Sequence, residues 1–427
     1  MGFLKNRLPG VGALAFRDFR LYWVGYVIEV IGSQMLWVTQ GWLLYEISGS
    51  PLALGVAGLA RAAPATILTF FGGAVADKVD QRRLLIRTQV LQMALLVLLA
   101  ALSATGQIQI WQILFIVSAA AGGQAFENPA RQAMFPHLLQ RQYLMDAVSL
   151  NAAVHPGARM VGPAIGGILL GLVVNLTSSV YVGASALFSL SALGYAVNVV
   201  LLYQVRLRAI VKSGPSTSVA KDMLMGLKFV FNTPIFALLI GMTYFINFFA
   251  WSFQSLFPIF AKDVLGVGTE GLGLMYAILG AGSLFGATVA ASLKDFHRRG
   301  WLIIGGAWFE GIILTLFAFS PWFAISVGLL FFAGLGQSIF NVTAQGTLQY
   351  LVPDEFRGRV MGLWGMTHTS VQPLGQLEMG LIASAASAPV AVIIGGVAVV
   401  GFALLAALPN RRIRELDLRR AEAELER

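Results

Sequence analysis

Gly72-Gly73-Ala74-Val75-Ala76-Asp77-Lys78-Val79-Asp80-Gln81-Arg82-Arg83 is a short polar loop, dense in charge, between two long apolar runs. Apolar segments precede it from Pro51 and follow it from Leu84. Each is long enough to cross about 30 Å of hydrocarbon as a helix. A loop this short forces them into an antiparallel pair, with the polar turn on one side of a membrane.

Composition supports that reading over the whole chain. Of 427 residues, 57% are hydrophobic and 11% charged, against about 25% charged in soluble domains. The mean hydropathy is +0.76. About twelve spans follow, at 19–46, 52–76, 84–104, 110–134, 147–173, 178–203, 234–261, 271–293, 301–320, 322–350, 360–385 and 389–409. The fold class is an all-α polytopic membrane protein. No cleavable signal is expected, because Met1 to Arg20 is basic and leads straight into the first span. The absence of cysteine excludes disulfides, thiolate catalysis and Cys-ligated metals.

The net charge of +9 is topological. One set of connections, together with both termini, holds 25 of the 29 Lys and Arg residues. The opposite loops hold only Lys262, and Arg61, Arg131 and Arg159 fall inside spans. By the positive-inside rule both termini and the 72–83 loop are cytoplasmic, in a cell inner membrane. No nucleic-acid partner is expected.

The chain also repeats. Gly123, Gln124, Asn128 and Gln132 return as Gly336, Gln337, Asn341 and Gln345, each 213 residues later, as do Leu150 and Gly162 at Leu363 and Gly375. The expected organisation is an N-terminal six-helix bundle over 1–203 and a C-terminal bundle over 233–409. Between them, 204–232 reads as a cytoplasmic linker with an interfacial helix. The charged tail, 410–427, is a helix candidate from Asn410, with a solvated end as the favoured reading. Two six-span halves are the sequence form of a secondary transporter that rocks one half against the other.

Polar residues in apolar spans must face protein or water. In the first span Glu29, Ser33, Trp37 and Gln40 recur at helical spacing, with Gln34 beside them; in the fourth, Gln124, Asn128 and Arg131. In the seventh, Tyr244, Asn247, Trp251 and Gln254 do so, and in the tenth, Gln337, Asn341 and Gln345. Single amides often only cross-link helices. Four stripes at corresponding positions of two halves point instead to a substrate cavity, amide- and aromatic-rich, which suits an amphipathic small molecule. Arg159 is added to the cavity set, one turn from His155 on span five.

Among ionisable residues inside spans, Glu29, Glu127 and His155 are the proton-coupling candidates. Glu29 reads as isolated in its own helix, whereas Glu127 stands one turn from Arg131 as an intrahelical ion pair. Glu310 and Glu378 fall on spans that read as peripheral and structural. The four histidines are too scattered for a metal site. Span five carries Gly162-Pro163 and Gly166-Gly167, a small-residue edge for close helix packing with a proline expected to kink it.

These residues resemble the major facilitator superfamily. The Gly73-x-x-x-Asp77-Lys78-x-Asp80-Gln81-Arg82-Arg83 loop looks like motif A, with Asp80 in place of the usual glycine. Gly162-Pro163-x-x-Gly166-Gly167 looks like the antiporter motif C. Trp42 to Gly55, Asn128 to Gln132 and Arg357 to Met361 are similar to the enterobactin-exporter and macrolide-efflux branch. The resemblance implies proton-driven export, by rocker-switch alternating access, of drugs, macrolides or siderophore-like molecules. It implies a conformational latch of Gly73, Asp77, Arg82, Arg83 and Arg359, in which Asp77 meets Arg359 or the start of its helix.

The implied partners are a small-molecule substrate, protons and the lipid bilayer, with a monomer expected. No cofactor is expected, the proton gradient being the energy source. A proton-coupled importer or a lipid flippase of the same fold is the alternative. An enzyme is not indicated, because no nucleophile–base pair, metal cluster or phosphate loop stands in the sequence.

Overall fold

A computed structural model of the chain describes residues 12–76, 79–206, 219–293, 296, 298–414 and 416. Among them no strand occurs, and the backbone hydrogen bonds are satisfied within helices, as a hydrocarbon solvent demands. In order these are α1 (Arg17–Ser48), α2 (Pro51–Ala76), α3 (Gln81–Ala104), α4 (Ile110–Met134), α5 (Leu144–Thr177), α6 (Val180–Gln204), α7 (Val219–Asn232) and α8 (Pro234–Phe249). They continue as α9 (Gly268–Ser292), α10 (Arg299–Phe319), α11 (Phe323–Leu351), α12 (Asp354–Met366), α13 (Gln372–Ala385) and α14 (Ala388–Phe402).

Ten described helical segments are long and apolar enough to cross a membrane. The other two expected spans are present as helices but are more polar or broken. α4 carries Gln124, Glu127, Asn128, Arg131 and Gln132, and the eleventh is split into α12 and α13 by a π-turn at Thr367–Val371.

The chain forms two compact units, Met1–Ile47 with Ala60–Val219 and Ser48–Leu59 with Ala220–Arg427. In the first, α3 packs along α4 and α6. Gln92 Nε2 donates to the Ala120 carbonyl at 2.7 Å and Ser185 Oγ to the Ala100 carbonyl at 2.8 Å. Such side-chain bonds replace the hydrophobic drive that lipid cannot supply. In the second unit, α11 packs against both α9 and α10, and α10 also against α14.

The α9–α11 approach depends on glycine. A Cβ at Gly282 would lie 1.9 Å from the Phe331 carbonyl oxygen, so no side chain fits without separating the helices. Gly282→Ala is expected to destabilise the second unit by about 1–3 kcal/mol, the usual range for overpacking. Gly305, which would meet nothing within 4 Å, is the control. A melting temperature lowered in the first variant and unchanged in Gly305→Ala is the expected pair of results.

Both ends of the second unit pack onto it. The linker residues 207–218 lie outside the described residues, but α7 is docked on the second unit, with Phe229 stacked on Phe356 at 4.1 Å. The tail does not begin as a solvated end. Arg411–Arg414 forms a helical turn and Ile413 and Leu416 are buried, because Gly300 leaves room for the Ile413 backbone. Residues 417–427 are outside the described residues.

Candidate functional site

In the first unit α1 is held against both α5 and α6. On the α6 side, Ser191 Oγ donates to the Gly32 carbonyl at 3.1 Å and Asn198 Nδ2 donates to Glu29 Oε2 at 3.0 Å. On the α5 side, a Cβ at Gly162 would stand 2.5 Å from Gln34 Cβ, and one at Gly166 3.0 Å from Met35 Cα. Two glycines of the expected antiporter motif, Gly162 and Gly166, are thus the contact points of α5 on α1. Gly167 and Pro163 are buried beside them, and α5 runs through Pro163 as one helix.

This packing carries Glu29 inward to Arg131. Arg131 Nη2 donates to Glu29 Oε2 at 2.6 Å, and the same nitrogen donates to Glu127 Oε1 one turn away on α4. All three side chains are buried, between 4% and 5% exposed. Glu29 is therefore not isolated, as its own helix suggested, but shares a guanidinium with Glu127. Its partner lies 102 residues away in the chain, beyond what helical spacing reveals. The Tyr26 ring covers Arg131 at 4.0 Å from its centroid, and Tyr22 lies at 5.9 Å. Arg131 Nε and Nη1 make no hydrogen bond; the face of a ring takes the place of an acceptor there. His155 meets the edge of Tyr26 at 5.9 Å and is exposed, as is Arg159.

The stripes divide by environment. On α4, Gln124 and Asn128 are exposed while Arg131 is buried with Glu127, so the three do not share one surroundings. On α1, Gln40 is buried, and Gln34 and Trp37 are half-buried, Gln34 against α5. On α11, Gln337 is buried with its Oε1 3.5 Å from Ser283 Oγ of α9, a helix cross-link; Asn341 and Gln345 are half-buried.

The seventh span is not the continuous helix that its stripe assumed. α8 ends at Phe249, a 3₁₀ segment covers Trp251–Leu256, and a π-turn covers Phe260–Val264. Pro258 explains part of the break. It has no N–H for the Gln254 carbonyl, and Tyr276 Oη donates to that carbonyl instead at 2.9 Å. Tyr244 Oη donates to the Leu363 carbonyl at 2.7 Å, and Asn247 Nδ2 to the Thr243 carbonyl at 2.8 Å. Trp251 is buried and stacked on His368. Glu310 is 1% exposed, inside the second unit rather than peripheral to it.

Of the latch residues, Asp77 lies outside the described residues, and Gly73 is in the last turn of α2. Arg82 Nε and Nη2 donate to the Leu202 and Tyr203 carbonyls at 2.8 and 2.5 Å, tying the start of α3 to the end of α6. Asp80, the departure from motif A, caps α3: its Oδ1 accepts from the Arg83 backbone N–H at 2.9 Å. Arg83 is exposed, and Arg359 sits over the Phe356 ring at 5.6 Å. Asn198, the second partner of Glu29, escaped the sequence reading; an asparagine within an apolar sixth span was its only signal.

Comparison with known proteins agrees with this architecture. The family described as transmembrane secretion effector matches residues 10–425. The macrolide efflux protein A of Streptococcus pyogenes is 22% identical over 406 residues, covering 94% of this chain and 98% of that one. The multidrug efflux pump Tap of Mycolicibacterium fortuitum is 26% identical over 393 residues, covering 88% and 91%. Among solved structures, an inward-facing, unoccupied bacterial homologue of the human lysosomal transporter Spinster superposes with a TM-score of 0.74. It is 14% identical, with 97% of this chain and 99% of that one covered.

Proposed function

The chain belongs to the transmembrane secretion effector family of the major facilitator superfamily, multi-pass membrane transporters rather than enzymes, and from that premise we propose a proton-driven exporter of small amphipathic molecules. The observation that carries the proton is the buried set of Glu29, Arg131 and Glu127. Two carboxylates on one guanidinium leave one negative charge in excess. Uncompensated charge inside a membrane protein is expensive, and one proton on a carboxyl balances the set.

Glu29 is the proposed carrier, because its surroundings suit both of its forms. Ionised, it accepts from Asn198 Nδ2; protonated, it has in Asn198 Oδ1 a buried acceptor without another partner. Glu127 remains as the fixed counter-charge of Arg131. Protonation of Glu29 loosens its hold on Arg131 and so the tie between α1 and α4, the two helices that bear polar stripes in this unit.

The amide- and aromatic-rich stripes, and relatives that export macrolides and several drugs, support an uncharged or weakly charged amphipathic substrate. Relatives named for efflux support an outward direction, and the proposed latch at Asp77 sets the resting state. In proteoliposomes loaded with a pH-sensitive dye, lumen pH is expected to move in step with erythromycin or ethidium flux. Flux of both probes that is indifferent to a pH gradient overturns the proton coupling.

A further inference from the structure

The second unit holds a carboxyl that the Glu29–Arg131–Glu127 set does not use. Glu310 lies on α10, buried, and its Oε2 makes no hydrogen bond. α11 packs directly on it, the Glu310 backbone N and Cβ lying 3.2 and 3.3 Å from the position a Cβ at Gly336 would take. The only ionisable side chain of α11 is Tyr350, at the far end and exposed, and α14 has none. The Arg411–Arg414 turn packs at Gly300, ten residues along α10, roughly 15 Å away at 1.5 Å per residue. No cation of these packed elements is placed to answer the carboxyl.

What does lie close to it is the Trp251 indole N–H, itself buried and without a hydrogen-bond partner. The Trp251 ring also stacks on His368, at 5.6 Å and 29°. His368 is half-buried, in the π-turn that interrupts the eleventh span, with Nδ1 3.4 Å from Gln372 Oε1. π-turns inside helices gather at functional positions. The 3₁₀ segment with Trp251 packs on α13 and α14; the ionisable group of α13 is Glu378, half-buried, and α8 offers only Tyr244, already bonded to Leu363.

The first unit repeats this order. His155 and His368 are 213 residues apart, the shift of the internal repeat. His155 meets the edge of Tyr26, and Tyr26 covers Arg131 of the acidic set. In each unit a histidine meets an aromatic ring that lies against a buried ionisable group, Arg131 in the first and Glu310 in the second.

We propose that Glu310 is a second proton-loading site, reached by way of His368 around Trp251, so that each unit carries one proton in the transport cycle. This extends the proton-coupled reading above. The step moves one proton from the His368 imidazolium to the Glu310 carboxylate and changes no other bond. Trp251 is the barrier between them and shifts to let the proton pass.

Infrared difference spectroscopy of the full-length protein in liposomes, stepped between about pH 5 and 8, reads protonated carboxyls directly. The protonated-carboxyl band is expected to lose one component in Glu310→Gln, and to keep that component in Glu29→Gln. His368→Ala leaves Glu310 in place and is expected to slow the deuterium shift of that component, on the order of 10²-fold, the usual scale for removing a proton-transfer group. A band unchanged by Glu310→Gln, or a deuterium shift as fast without His368, overturns the proposal. A Glu29 component that titrates while no Glu310 component does so defeats this site alone and leaves the first reading standing.

Discussion

Arg131→Leu is expected to cost the first unit about 3–5 kcal/mol, the scale for removing one partner of a buried ion pair. The substitution leaves Glu29 and Glu127 facing each other with no cation, both about 5% exposed. It also removes the guanidinium that fills the space under Tyr26. The purified variant should elute as aggregate or melt many degrees below the wild type. The triple variant Glu29→Gln, Glu127→Gln, Arg131→Leu removes the charges together and should recover most of that stability, because a neutral buried cluster carries no desolvation debt. An Arg131→Leu protein as stable as the wild type contradicts the electrostatic account of this site.

The fold was legible because a membrane simplifies the code. Apolar runs of bilayer length, basic residues on alternate connections and the 213-residue repeat are all one-dimensional signals, and the helices appear where they point. The Glu127–Arg131 pair was legible for the same reason, since its two members are one turn apart. The sequence marks Glu29 as a carboxyl within a span but shows it alone in its own helix. Its partner belongs to another helix, and the pairing depends on how α1 seats between α5 and α6. Asn198 was missed on the same ground.

In the second unit, periodicity misled twice. The Tyr244–Gln254 stripe assumed a regular helix where Ala250 to Val264 passes through 3₁₀ and π turns. Glu310 reads as peripheral, because no stripe of polar residues marks the face of α10 that meets α11. The glycines at 306 and 336 on that contact are the available clue: small residues mark where helices approach closely in a membrane. Asp80 teaches the converse. Its departure from the motif weakened a resemblance, yet locally it is a good helix cap.

Glu29→Gln is the second large effect. Glutamine is nearly the same shape, still accepts from Arg131 and Asn198, and stands for the protonated acid. The variant should fold, bind substrate and exchange it, but it no longer takes up or releases a proton at this position. One proton per molecule supports about a tenfold concentration ratio for each unit of pH difference, since one pH unit is worth about 1.4 kcal/mol. Loss of that proton should reduce the steady-state ratio by about tenfold per unit, while exchange at equal pH proceeds at close to the wild-type rate. Glu127→Gln removes the same excess charge and leaves Glu29 neutralised by Arg131, so it should lower the ratio as well.

The most direct test sets these two readouts side by side in one preparation. Proteoliposomes bearing wild type or Glu29→Gln are assayed for pH-driven erythromycin accumulation and for erythromycin exchange without a gradient. Accumulation is expected to fall by about tenfold per pH unit in the variant while exchange persists. A Glu29→Gln protein that accumulates substrate as steeply as the wild type contradicts that expectation.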